Sequence, residues 1–442
     1  MMPSFFQSIL FLIIGISVII LLTVKFRVHA FFALMIACFV TGIGVQMQVP
    51  AILEAMKDGF GNIMRSLGFI IVLGTTLGVL LEHTGSTKVM ALFILKKTGD
   101  RNAALAMSIT GFIVGLPIFC DSGYIVLSGL NKSLAKRTGI SIAITSTSLA
   151  TGLYAIHCLI PPHPGAAAAT SVIGVDIGKV MITGIIVALP AMLTGFFWSK
   201  YAGKKFFIKV EEEALLPDAQ KHLPSTLQSF LPVIVPVILI AVKSLMSVET
   251  NSGIITNIFF ILGDPVIALA IGVILAFTCS RHWNKILVGK LLTESVEKAG
   301  SILVIIGAGG AFGAVLTATK LSEHFSNISA LGSIGIFFPF LVTAALKTAQ
   351  GSSTVAIITA ASIIQPLLQP LHLDSDWGKL LCVLSMGAGS MTLSHVNDAY
   401  FWVIGKFSGL DMRTMLKVYS VATLLMGLVS ILVIYLLSLL LL

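Results

Sequence analysis

The run His157-Cys158-Leu159-Ile160-Pro161-Pro162-His163-Pro164-Gly165 interrupts an apolar stretch that would otherwise read as a membrane helix. Three prolines and a glycine cannot continue a helix without losing backbone hydrogen bonds. In hydrocarbon those bonds must be replaced, so a broken backbone survives only where protein or a water-filled cavity surrounds it. The two histidines add polar groups that lipid tolerates only at a cost. A helix that stops at mid-depth and carries polar side chains is the usual construction of a solute-binding site in a transporter. The second half of the chain holds a counterpart, Ser394-His395-Val396-Asn397-Asp398.

The rest of the chain supports a bilayer setting. Of its 442 residues 56% are hydrophobic and only 11% charged, with a mean hydropathy of +1.01; a soluble domain carries about 25% charged residues. Apolar runs long enough to span recur throughout. The N-terminus lacks the basic region and small-residue cleavage site of a signal peptide, so the first apolar run, residues 4–24, reads as a retained span. The net charge of +9 is better explained by basic cytoplasmic loops than by a nucleic-acid partner. No Cys/His metal spacing and no ATP-binding P-loop occurs, so no metal, cofactor or direct ATP drive is expected. The five cysteines sit in or beside apolar runs and read as buried free thiols.

The chain repeats itself. Gly74-x-x-x-Gly78 matches Gly309-x-x-x-Gly313 at an offset of 235 (309 − 74). Asp121-Ser122-Gly123 falls opposite Ser352-Ser353-Thr354 at 231 (352 − 121), and His157 opposite His395 at 238 (395 − 157). The glycine pairs themselves read as close helix packing. The expected organisation is a first transmembrane repeat over 1–199, a polar cytoplasmic linker over 200–228 and a second repeat over 229–442. The first half shows spans near 4–24, 28–46 and 66–83, an interfacial segment at 88–97, a helix-turn-helix at 101–133, a broken span at 139–172 and a last span at 178–198. The second shows spans near 229–247, 257–279 and 299–317, a helix-turn-helix at 326–368, a broken span at 379–405 and a last span at 413–441.

If each helix-turn-helix is a re-entrant hairpin, each half crosses an odd number of times and the halves are inverted. With both termini outside, only Lys57, Arg65, Lys179, Lys320 and Lys379 fall on outside loops, while most of the 28 lysines and arginines fall inside, as the positive-inside rule requires. The expected fold is an all-α polytopic membrane protein of two inverted repeats, each with a re-entrant hairpin and a broken transmembrane helix.

Under this topology the hairpin tips meet near the membrane centre beside the two breaks. Asp121 stands at the first tip, next to Ser122 and Gly123. An ionised carboxylate there is expensive unless paired or protonated, which suits a proton carrier; the competing reading is a helix N-cap. Gly351-Ser352-Ser353-Thr354 begins a helix at the second tip and offers N–H groups and hydroxyls to an anion. Lys347 lies four residues earlier, where it would attract a carboxylate or else snorkel to the interface. His157, His163, His395 and Asn397 are candidates to meet a hydroxylated solute, and Asp398 is a second proton-carrier candidate. An intramembrane hydrolase would also use buried Asp, Ser and His, but it needs no duplicate hairpins. A passive channel is the remaining alternative.

Four strings resemble the gluconate permease (gluconate:proton symporter) family of the ion transporter superfamily: Gly115-Leu116-Pro117-Ile118-Phe119-Cys120-Asp121; His157 through Gly165; Gln350-Gly351-Ser352-Ser353-Thr354-Val355-Ala356; and Gly387 through Asp398. The resemblance extends along essentially the whole chain. It implies a bacterial inner-membrane protein that takes up gluconate or a related small carboxylate with protons, with D-serine and other sugar acids as alternatives within the family. It also implies a homodimer with a scaffold and a moving transport domain.

Overall fold

A computed structural model describes residues 5–206, 223–246, 254–280, 282–319 and 334–442. Most of the polar linker, the start of the second helix-turn-helix, Arg281 and Lys320 lie outside the described residues. The described residues form helices and no strand.

In order, the helices are α1 (Phe5–Ile20), α2 (Ala30–Gly44), α3 (Val49–Thr84), α4 (Ser86–Thr98), α5 (Ala103–Val114), α6 (Cys120–Thr138), α7 (Ile142–Leu159), α8 (Pro164–Ile173) and α9 (Ile177–Gly203). They continue as α10 (Thr226–Met246), α11 (Ile254–Leu262), α12 (Pro265–Phe277), α13 (Lys285–Ala318), α14 (Phe337–Gln350), α15 (Ser353–Ile364), α16 (Asp376–Met391), α17 (Ala399–Ser408) and α18 (Met412–Leu441). Among the described residues six segments are long and apolar enough to cross a membrane, including α3, the broken α7–α8, α9, α10, α13 and α18.

Local chemistry sets the boundaries. Side-chain oxygens of Ser141, Asp176, Asp264, Asn284, Ser352, Ser375 and Asp398 each accept a first-turn N–H of the helix that follows, replacing partners that helix starts lack. Two expected spans are longer than the apolar pattern suggests. Residues 66–83 and 299–317 are the C-terminal parts of α3, with 36 residues, and α13, with 34. At 1.5 Å per residue each exceeds the roughly 30 Å hydrocarbon thickness, and their polar N-terminal parts stay helical through Gly59, Gly61 and Gly289. The expected span 257–279 is instead cut at Gly263-Asp264, where Asp264 caps α12 and pairs with Lys243 at 3.5 Å. That pair accounts for Lys243 within an apolar segment.

Packing follows the halves. α3 lies along α13, while α5–α7–α9 and α14–α16–α18 form two matching layers. The hairpin arm α6 packs on α17, and the hairpin arm α15 on α8. Exchanging the halves maps this pattern onto itself. Large apolar side chains such as Phe69, Phe197, Ile274 and Leu432 are exposed on the outside, the distribution that a lipid solvent imposes.

Candidate functional site

The two hairpin tips and the two breaks close around one cavity of about 580 Å³. This lies within the roughly 300–1,000 Å³ of small-molecule sites. Its wall includes Asp121 and Ser122 from the first tip, and Gly351, Ser352, Ser353 and Thr354 from the second. His157 and Pro164 border the first break; Asn397 and Asp398 belong to the second. Of the sequence candidates, Gly123, His163, Lys347 and His395 are not on this wall.

At the first tip the chain turns between α5 and α6. Phe119 occupies the cap position and Asp121 the first helical turn, without a capping bond. The N-cap reading of Asp121 is therefore wrong: the helix starts at Cys120, two residues earlier than a capping Asp121 requires. Its carboxylate is exposed to the cavity, with Cys120 Sγ 3.8 Å from Oδ1. The positive end of α6 favours negative charge at this position.

At the second tip Gly351 ends α14 with φ 84° and Ser352 starts α15, its Oγ accepting Val355 N–H at 3.3 Å. The Ser353 and Thr354 N–H groups lie outside the intrahelical ladder by helix geometry. This tip presents hydroxyls and a positive helix end to the same volume that Asp121 faces.

The first break places His157 at the end of α7, stacked on Tyr154 with an interplanar angle of 13°. Its Nδ1 is buried without a hydrogen-bond partner, as are both side-chain polar atoms of Gln350 beside the second tip. Such atoms are costly unless something satisfies them. His163 also has a buried Nδ1 without a partner among the described residues, but its Nε2 lies 2.6 Å from Gly115 O, so it ties the break to the end of α5 and is not on the cavity wall.

The second break corrects the expectation for Lys347 and gives Asp398 its partners. Lys347 is fully buried and neither snorkels nor reaches the cavity; its Nζ lies 2.9 Å from Asp398 Oδ2. The Ser394 hydroxyl donates to the same oxygen, while Oδ1 accepts Tyr400 N–H at 3.0 Å. A buried ammonium needs a carboxylate partner, and Asp398 is the one in reach. Asp398, read from sequence as a proton carrier, is thus an ion-paired helix cap. His395 Nε2 and Asn397 Nδ2 lie 3.2 and 2.7 Å from Thr348 O. They hold the break against the hairpin, and Asn397 alone of the two reaches the cavity.

The sequence reading missed Lys298, Ser301, Gln350, Tyr154 and Tyr400, all on the wall. The length of α13 carries Lys298 into the cavity wall, where it also pairs with Glu294 at 2.7 Å. Tyr154 and Tyr400 looked like ordinary apolar-helix aromatics. Farther along α13 a second cavity, of about 490 Å³, is bordered by Asp58, Asn62, Ser171, Thr317 and Gln365. Between the two cavities α15 packs on α13, with Ser362 Oγ donating to Gly309 O at 2.7 Å.

Comparison with known proteins agrees with this geometry. The solved Alcanivorax borkumensis YdaH transporter has a similar fold, with a TM-score of 0.57 at 16% identity over 85% of this chain and 86% of that one. A gluconate permease of Pseudomonas aeruginosa is 34% identical, with 96% of each chain covered. The D-serine transporter DsdX of Escherichia coli is 32% identical over 97% of each. The Gnt-II system L-idonate transporter of Escherichia coli is 28% identical over 95% of this chain and 96% of its own. The family model for GntP family permeases matches residues 7–440. These matches set aside the hydrolase reading, and with the helical spans and the cavity between the tips they make the chain a bacterial membrane transporter, a member of the GntP family of permeases.

Proposed function

We propose that this permease imports a small hydroxylated monocarboxylate, gluconate or a close relative, together with protons. The observation that carries the reading is the shared cavity: the Asp121 carboxylate, the helix start at Ser352–Thr354, and the side chains of His157 and Gln350, whose buried polar atoms lack partners among the described residues, border one volume. The helix start would hold the solute carboxylate. Asn397, Ser122 and, after small rotations, Gln350 and His157 would meet its hydroxyls. Asp121 would carry the proton, since a second anion beside it favours its neutral form.

The reading includes inverted repeats, a homodimer, a cytoplasmic linker and outside termini. The exchange symmetry of the packing supports the repeat, and the loop charges support its inversion. The two cavities in line along α13 would be the two ends of one path, and the α15 seam the barrier between them. The test is a thermal-shift panel of gluconate, L-idonate and D-serine on purified protein, followed by uptake into proteoliposomes under an imposed pH gradient. Bound ligand raises apparent stability by mass action. Gluconate stabilisation together with pH-driven accumulation is expected; accumulation that never exceeds the solute's own gradient would favour a channel instead.

A further inference from the structure

The second tip is joined to the second break by a buried ion pair and by hydrogen bonds. Lys347 Nζ meets Asp398 Oδ2 at 2.9 Å with the lysine fully buried. Ser394 Oγ donates to that same oxygen. Asn397 Nδ2 reaches Thr348 O at 2.7 Å and Ala349 O at 3.3 Å. The Lys347 and Asn397 contacts join the last turn of α14 to residues between α16 and α17, immediately before Gly351 and the Ser352–Thr354 helix start, and the Ser394 contact braces Asp398 within the break.

The first half repeats the contact in neutral form. His163, between α7 and α8, meets Gly115 O at the end of α5 at 2.6 Å. The offsets are 235 (398 − 163) and 232 (347 − 115), which fall among those of the repeat itself. In each half the break therefore holds the end of its own hairpin's first arm. Only in the second half is the link ionic.

We propose that Lys347, Asp398 and Ser394 form a charge-neutral clasp that fixes the second tip to the second break, so that the two present the solute-binding helix start as one rigid element. Lys347 and Ser394 are positioning residues: they act on the site through the tip and do not touch solute. Asp398 keeps its negative charge for Lys347 throughout the cycle and carries no coupling proton. The physical ground is that removing one partner of a buried pair strands the other charge, whereas removing both charges together is often tolerated.

The inference rests on the transporter reading but not on which solute is carried. The unmodified protein first fixes the probe among gluconate, L-idonate and D-serine, so failure of the solute assignment shows there, and failure of the clasp shows only in the variants. Lys347→Met, Asp398→Asn and the double variant are reconstituted and compared in counterflow and in pH-driven accumulation. Each single variant is expected to raise the counterflow KM at least tenfold or to lose the folded monodisperse protein. The double variant is expected to bring KM back to within about fivefold of the parent and to accumulate solute. A double variant that exchanges solute but does not accumulate it would overturn the proposal, since Asp398 would then carry the coupling proton. Either single variant matching the parent in KM would overturn it too. Ser394→Ala, which removes one donor and no charge, guards against a double variant that does not fold. It is expected to raise KM about threefold or more with an unchanged proton-to-solute ratio; an unchanged KM, or a lowered ratio, counts against the clasp.

Discussion

Replacing Gly351 with alanine tests whether the described tip is the solute-binding conformation. Gly351 has φ 84°, and its N–H donates to Lys347 O at 2.8 Å. An L-residue in the left-handed region costs roughly 1–2 kcal/mol. The added Cβ would also lie 2.1 Å from Asn397 O, a backbone atom that cannot rotate away, so the break must retreat from the tip. The Asn397 bonds to Thr348 O and Ala349 O oppose that retreat, and losing one costs about 0.5–1.5 kcal/mol. The total is about 2–3 kcal/mol. Because 1.4 kcal/mol is a factor of ten in affinity, transmitting most of this strain to the helix start weakens solute binding by a factor of about 10 to 100. Equilibrium binding of labelled gluconate to purified protein measures it. Gly68→Ala in α3 is the control, since a Cβ there meets nothing within 4 Å and alanine is the better helix former. A folded Gly351→Ala protein with parental affinity would refute the argument.

Three further outcomes are expected. Asp121→Asn keeps the size of the side chain but cannot cycle a proton, so counterflow should persist while pH-driven accumulation fails; full accumulation would remove Asp121 from the coupling role, and loss of both activities in folded protein would place it in solute binding. Ser353→Leu fills the cavity at the second tip and removes a hydroxyl, so solute-induced thermal stabilisation should vanish while the ligand-free melting temperature stays within a few degrees; parental stabilisation would exclude this helix start from the site. Asp176 caps α9 through Lys179 N–H at 2.9 Å and accepts the Ser244 hydroxyl at 2.6 Å, so Asp176→Ala should lower stability by about 1–2 kcal/mol without changing affinity, and an unchanged melting curve would show the cap to be idle.

Much of the architecture was legible because lipid restricts the choices. A backbone facing lipid must be helical or part of a closed β-barrel, so long apolar runs locate helices, and prolines at 161, 162 and 164 or the Asn397-Asp398 pair mark where helices stop. Glycine and serine at 351–353 announce a turn and a helix start by local chemistry alone. The same local rules found Asp121, Ser122, Ser352 and Asn397, which do line the cavity.

Partners across the fold were not legible. Lys347 and Asp398 stand 51 positions apart, and no local pattern says that the lysine turns inward to neutralise that carboxylate and not a solute. His163 looks equivalent to His157 in the string, yet one ring bonds to a carbonyl 48 positions away and the other borders the cavity. Lys298 enters the cavity wall because α13 runs on beyond its apolar segment and lies against α3. Backbone hydrogen bonding is settled within a few residues of each position, so the sequence by itself determined the helical class, the two breaks and the two hairpin tips, though not how far α3 and α13 extend or the cut at Gly263-Asp264. Which polar groups are spent on one another and which remain for a solute depends on charges and carbonyls brought together from distant segments, and that only the tertiary structure decided.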